Sequence, residues 1–361
     1  MRFESVLIIN PFGIGDVLFS TCLIRNLIKF YHGIKIYYLC NPKVNSFLAK
    51  QPYIYKTFVY DRNEWVSLQR RSVILWWKKF YNFIKEIKKE KIELCIDLSL
   101  NTQYGFYAWC AGIPFRIGLD YKKRGFFLQK KIPIDGYEQK HVCEYHLDVL
   151  QLIGHIPKEY QMMLEVSEEQ RKWADNFLEN NVDPRDSLIV GVAPCGGDAF
   201  GKDAKVKRWP AENFKEIIQW LHEELNAYVF VFAGPNEKED VEYILNPIKN
   251  KEKIFNLCYL SLEKTIALIE RVEIFIGNDT GPLRIANAFR KKILAFFGPV
   301  DEKVYGIYPP YPQQSIILTA AVACRPCYKR LRLPECNNQR RCLYDITVAE
   351  AKEAVYKLLM V

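Results

Sequence analysis

No run of apolar residues in this sequence approaches the roughly 20 that carry a helix across a bilayer, which excludes a chain threaded through a membrane by helices. It does not open on a secretion signal either: Met1-Arg-Phe-Glu-Ser-Val-Leu-Ile-Ile-Asn10 reads as a β-strand, and a cytoplasmic protein is expected. Internal repeats and low-complexity tracts are missing as well, which excludes solenoid and linker proteins. What is there is a globular composition. Of 361 residues, 49% are hydrophobic and 26% charged, enough to bury two cores of ordinary domain size. Lys and Arg number 51 against 42 Asp and Glu, and the net +9 favours acidic partners: nucleotide phosphates, anionic lipids or nucleic acid. Cysteine is plentiful at eleven residues, but seven are scattered through apolar or mixed segments and read as reduced core thiols.

Strand and helix patterns alternate twice along the chain. The first half gives strand Ser5 to Asn10, a helix from about Asp16 to Tyr31, strand Lys35 to Cys40, a basic helix from Arg71 to Lys91, strand Glu93 to Leu98 and a helix around Asn101 to Ala111. A helical stretch Glu165 to Asn181 and a turn at Asp183-Pro-Arg-Asp186 lead into the second half. There, strands Leu188 to Ala193, Tyr228 to Ala233, Val272 to Ile276 and Ile293 to Phe297 are separated by helices. Pro210 opens one of these, with Phe214, Ile217, Ile218, Leu221 and Leu225 on one face. The reading is α/β: two doubly wound, Rossmann-like domains, residues 1–182 and 183–346, with a last helix in 347–361. Such sheets bind ligands at the carboxyl ends of their strands, so a cleft between two facing domains is expected.

Four strand-to-helix turns carry candidate chemistry. Gly277-Asn-Asp-Thr-Gly-Pro282 ends a buried strand and opens a helix, whose free N–H groups and Thr280 hydroxyl suit a phosphate. Pro11-Phe-Gly-Ile-Gly-Asp16 ends the first strand; Gly13 and Gly15 allow close approach to the backbone. It lacks the third glycine of a dinucleotide fingerprint, which excludes nicotinamide binding. Asp16 there is either a helix cap or a general base. Lys207-Arg-Trp-Pro210 offers an ammonium to a diphosphate or is an exposed basic turn, and Glu237 in Gly234-Pro-Asn-Glu237 accepts from a ribose or solvates a loop.

In this order the four elements, with Phe297-Gly-Pro299, resemble glycosyltransferase family nine, the ADP-heptose:lipopolysaccharide heptosyltransferases and their relatives, over nearly the whole chain. The resemblance implies a GT-B fold with an amino-terminal acceptor domain, a carboxy-terminal nucleotide-sugar domain and a final helix that returns toward the first. It makes Asp16 the base, Gly13 and Gly15 the acceptor-side loop, and Lys207, Glu237, Asp279, Thr280, Gly281, Pro282 and Arg284 the donor site. Where the family commonly has histidine, this chain has Arg284, a permanent cation. The implied reaction moves a sugar, heptose from ADP-heptose, to a hydroxyl of a lipopolysaccharide core or related glycan at the inner face of the inner membrane. One base and one clamp on the departing diphosphate suffice for inversion without a catalytic metal. Two alternatives stand beside it: a heptosyltransferase of autotransporter proteins, and a nucleotide-binding scaffold that lost turnover. Asp16 favours an enzyme, since a binder has no use for a cleft-facing base.

Cys324-Arg-Pro-Cys327, Cys336 and Cys342 have the look of a tetrathiolate site for structural zinc or iron; two disulfides or free thiols are the alternatives. The basic helix places Trp76, Trp77, Phe80, Phe83, Ile84 and Ile87 along one flank, which suits packing on its own domain or contact with an anionic membrane. No nucleic-acid-binding module surrounds it, so no nucleic-acid partner is expected.

Overall fold

The computed structural model describes residues 2–183, 188–197 and 205–361. Residues 184–186 of the expected turn and 198–204 of the loop after Gly197 lie outside the described residues. The chain forms two compact units, 1–137 with 142–165, and 138–141 with 166–361.

The first unit is built on strands β1 (Ser5–Ile9), β2 (Lys35–Cys40), β3 (Lys56–Val59), β4 (Leu94–Asp97), β5 (Phe115–Tyr121) and β6 (Lys130–Ile134), all parallel in the order β3-β2-β1-β4-β5-β6. Every residue of β1 and β4 is buried, as expected of central strands covered on both faces. Helix α1 (Ile14–Phe30) starts at the N-cap Gly13 and buries Val17 to Ile24 without a break. Strands β3, β5 and β6 escape the periodicity because they are short or carry Arg116, Asp120 and Pro133 among their apolar residues. Proline is tolerated in β6 because it is an edge strand.

The basic helix is α4 (Val73–Lys89), capped by Ser72, whose hydroxyl accepts from Leu75 N. Phe80, Phe83, Ile84 and Ile87 enter the core with Trp65, Tyr104 and Tyr107, as the packed-helix reading requires. Trp77 does not join them: it is 56% exposed. A helix turns by about 100° per residue, so 73, 74, 77 and 81 fall on a second, outward apolar face.

The second unit repeats the topology. Strands β7 (Ile189–Ala193), β8 (Tyr228–Val231), β9 (Ile254–Asn256), β10 (Ile274–Asn278), β11 (Lys292–Phe296) and β12 (Ser315–Leu318) are parallel in the order β12-β11-β10-β7-β8-β9. The edge strands β9 and β12 are short and only partly buried, which is why their sequence shows little. Helix α8 (Ala211–Glu223) follows Pro210 and buries Phe214, Ile217, Ile218 and Leu221; Leu225 lies past its end. Helix α7 (Glu168–Asn181), started by a Ser167/Gln170 capping box, packs on α10 (Leu262–Ile269) and so belongs to this unit. The final helix α14 (Val348–Leu359) packs on α8, β11 and β12. Among the described residues no helix is long and apolar enough to cross a membrane.

Candidate active site

Each sheet brings its candidate residues to the carboxyl ends of its two central strands. In the first unit the β1–α1 turn is braced from both sides. Asn10 donates to Asp16 O at 2.9 Å, and Asn41 donates to Pro11 O at 3.2 Å and to Phe12 O. A Cβ added at Gly13 would meet nothing within 4 Å, so the turn is open there. Asp16 sits in the first turn of α1 and Gly13 holds the N-cap position, so Asp16 is not the cap. Next to β1, strand β4 ends in the buried Asp97, paired in register with Ile9. Burial pushes the Asp97 carboxyl up to about 6, against the hydrogen bond that Ser99 N donates at 2.8 Å.

In the second unit β10 leads through Asn278-Asp279-Thr280 into α11 (Gly281–Ala288). A Cβ at Gly277 would stand 3.1 Å from Ala193 O, so a side chain there would push β10 and β7 apart by a few tenths of an ångström. Asp279 is buried between two cations. Lys207 Nζ donates to its Oδ2 at 2.5 Å and Arg284 Nη2 donates to its Oδ1. Burial alone would raise the Asp279 carboxyl; Lys207 and then Arg284 more than reverse this and hold it below its usual value. Arg284 also donates to Gly306 O at 3.0 Å, and His141 Nε2 lies 3.3 Å from the same oxygen with its ring stacked on Tyr308. Thr280 is the N-cap of α11 but donates its hydroxyl to Asn278 O at 3.2 Å rather than capping, and Gly281 and Pro282 are partly exposed.

Lys207, Asp279, Thr280, Gly281 and Arg284 are therefore brought together. Two cations against one carboxylate leave a net positive charge, and the helix start adds partial positive charge of the same sign. An anion placed here would be stabilised by both.

Glu237 belongs to another cluster. Its carboxylate accepts from Gly234 N at 3.0 Å, Gly197 N at 2.9 Å and Arg208 Nη2 at 3.1 Å, while Arg208 Nη1 donates to Asp240 at 2.6 Å. It is a buried loop clamp, neither a solvated side chain nor one with both oxygens open to a sugar. A cavity of about 170 Å3 borders Arg208, Cys195, Asp240 and Tyr243; the Lys207–Asp279–Arg284 group does not line it. Two further residues, Asn278 and Trp209, organise the site. Asn278 donates to Pro194 O at 2.8 Å and accepts from Trp209 N at 2.9 Å, tying the ends of β7 and β10 to the Lys207 turn. Trp209 is buried by stacking on Phe296 and donates Nε1–H to Ile346 O at 2.9 Å. Both stand inside the quoted motifs, which is the signal that pointed near them.

Cys324, Cys327, Cys336 and Cys342 line one cavity of about 30 Å3 with Pro299 and Leu333. Asn338 Nδ2 donates to Cys324 Sγ at 3.6 Å and Arg340 N to Cys336 Sγ at 3.3 Å. Burial, followed by the neighbouring cysteines, pushes the Cys342 thiol up to about 11. Among the described residues no group of three or more His, Cys, Asp or Glu is disposed to hold a metal ion. The other seven cysteines are free thiols, six of them buried, as read from their apolar surroundings.

The pattern of glycosyltransferase family 9 (heptosyltransferase) matches residues 80–337. The lipooligosaccharide heptosyltransferase 2 of Campylobacter jejuni subsp. jejuni serotype O:6 is 29% identical over 47% of this chain, and the match spans about half of that relative, 51%. Two solved structures share the fold over the whole chain. A family 9 glycosyl transferase from Veillonella parvula has a TM-score of 0.81 at 21% identity, covering 100% of this chain and 98% of that one. The E. coli ADP-heptose lps heptosyltransferase II has a TM-score of 0.76 at 19% identity, covering 100% and 99%.

Proposed function

Since the chain belongs to glycosyltransferase family 9 (heptosyltransferase), we propose that it transfers heptose from ADP-heptose to a hydroxyl of a lipopolysaccharide core or related glycan. The observation that carries the reading is the buried Lys207–Asp279–Arg284 group at the start of α11. It is a preorganised positive site at the carboxyl end of a doubly wound sheet, where a nucleotide diphosphate binds. The E. coli structure of the same fold is that of an ADP-heptose enzyme, which supports this donor.

In the reaction the acceptor hydroxyl loses its proton as it attacks the anomeric carbon from the face opposite the leaving ADP, so the configuration inverts. Asp16 takes that proton as general base. Lys207, Arg284 and the N–H groups at the start of α11 stabilise the charge that grows on the diphosphate. Because these positive groups are fixed before the donor arrives, the departure of ADP needs no metal ion to neutralise it. Glu237 acts on the donor indirectly, by holding Gly197, Gly234 and Arg208 in place. The test is direct: purified protein given ADP-heptose and a heptose-accepting core glycan should release ADP in the presence of a chelator and form a product of inverted configuration. ADP-heptose that neither binds nor turns over would overturn the donor assignment.

The four thiols match a structural metal in donor type and in number, and the N–H donors on two sulfurs suit thiolates, although the described side chains are not disposed around an ion as they stand. Zinc or iron held by Cys324, Cys327, Cys336 and Cys342 would fix the loop before α14 and take no part in transfer.

A further inference from the structure

The outward face of α4 is linked to a second exposed element by a chain of ring contacts that passes through the buried Phe80. Ile74 and Trp77, 81% and 56% exposed, stand on that face. From Trp77 the rings run without a gap into the body of the unit: to Phe80 at 5.6 Å, on to Phe106 at 6.0 Å, and to Phe127 at 5.2 Å. Phe127 touches Phe126 at 5.2 Å, and Phe126 is 78% exposed at the turn between β5 and β6. Trp109, 53% exposed, fills the space beside Phe106 and Phe127 at 6.0 and 5.7 Å. Scattered exposed apolar residues are ordinary; two exposed elements tied by a continuous ring chain are not.

Cations stand next in sequence to both exposed elements. Arg70, Arg71 and Lys78 are exposed beside the start of α4, and Lys122, Lys123 and Arg124 are exposed just before Phe126. Residues 121–131 hold five Lys and Arg and no Asp or Glu. The turn itself is held rigid: Asp120 accepts from Gly125 N at 2.7 Å and pairs with Lys131 at 3.0 Å. Indole and phenyl rings surrounded by lysine and arginine match the interface of an anionic bilayer, where the rings enter the headgroup layer and the cations meet phosphates.

We propose that this surface of the first unit docks the protein on anionic lipid membranes, with Ile74, Trp77 and Phe126 inserting and the flanking cations supplying the electrostatic attraction. The inference rests on these residues alone and not on the donor or the acceptor of the reaction.

The full-length protein is mixed with vesicles of equimolar phosphatidylcholine and phosphatidylglycerol and with vesicles of phosphatidylcholine alone, and bound protein is separated by flotation. Binding to the anionic vesicles is expected, at least about tenfold weaker on phosphatidylcholine and falling as salt rises. The double variant Trp77→Glu, Phe126→Glu should lose at least about tenfold in vesicle affinity, and Lys122→Glu, Lys123→Glu should lose the preference for anionic lipid. Calorimetric ADP affinity and the melting temperature of these variants should stay at wild-type values, so failure of the donor reading and failure of this one are distinguishable. Equal binding to both vesicle types, undiminished binding by the variants, or loss of a concentration-dependent dimer on Trp77→Glu in the absence of lipid would overturn the proposal. The last result would make the face a contact between copies of this chain.

Discussion

Each half of the molecule buries an aspartate near the carboxyl end of the strand beside its first, Asp97 inside β4 and Asp279 just past β10, and the two are treated in opposite ways. Asp97 ends β4, which pairs with β1; Asp279 follows β10, which pairs with β7. Asp97 has a backbone N–H beside it and is pushed up to about 6 by burial. Asp279, as deeply placed, has Lys207 and Arg284 and is pulled down. Burial is therefore common to both, and the cations decide the direction in which the carboxyl is shifted. The neighbouring turns complete the contrast. The β1–α1 turn is open at Gly13 and carries Asp16 in the first helical turn, whereas the β10–α11 turn is packed around the paired Asp279. A transferase needs one of each: a base for the acceptor and a clamp for the leaving group.

The largest effect should come from the first half, where Asp16 is the proposed base. Asp16→Asn should slow transfer by about 10²–10⁴-fold, the usual worth of a general base, with ADP affinity unchanged by calorimetry. Near-wild-type turnover would remove Asp16 from the chemistry and leave the first half with no chemical part. In the other half, Lys207→Ala should weaken ADP binding and slow transfer together by about tenfold to a hundredfold, as expected for losing a charged hydrogen-bond donor. Arg284 still pairs with Asp279 in that variant, but the buried carboxylate loses its stronger cation, so the melting temperature should also fall.

A third variant addresses the comparison itself. The folded pKa of Asp97 lies above the ordinary value of about 3.9, so the folded state keeps the proton longer than the unfolded chain. Stability should fall as pH rises from about 4 to about 6 and stay level above that. Asp97→Asn retains an acceptor for Ser99 N and should remove this slope, recovering on the order of 2–3 kcal/mol at neutral pH; urea melts at pH 4, 5, 6 and 7 would check it. Asp279 carries the opposite sign. Its depressed pKa contributes stability that is present above its unfolded value and is lost only as pH falls below about 4.

The smallest expected effect concerns what the second half has beyond the repeat, the cysteine loop between β12 and α14. Elemental analysis should find about one zinc or iron ion per chain. Cys324→Ser with Cys327→Ser should lose it and lower the melting temperature by a few degrees, since metal binding there is coupled to ordering the loop. Metal-free protein of equal stability would return these residues to plain thiols.

Much of this is legible in the amino-acid sequence. Full burial writes itself as unbroken apolar runs, so β1, β4, β7, β10 and β11 stood out, and the turns after β1 and β10 announced themselves through Gly, Pro and Asp. Those signals are local, set by neighbours a few residues away. The edge strands β6, β9 and β12 were silent because their pairing partner, and not their own composition, makes them strands. Charge pairing was silent for a similar reason. Lys207 and Asp279 are 72 residues apart, and their union depends on Asn278 tying the ends of β7 and β10 to the Lys207 turn. Glu237 was legible as a polar residue in a loop; the Arg208 guanidinium that turned it into a clamp comes from another segment. The helix α4 was predicted amphipathic, and only packing decided that Trp77 faces outward while Phe80 faces in. The sequence by itself determined the two α/β halves and where their turns fall, because periodicity and turn chemistry act along the chain. The tertiary structure decided which carboxylate is paired and which aromatic is exposed, because burial and Coulomb attraction act through space.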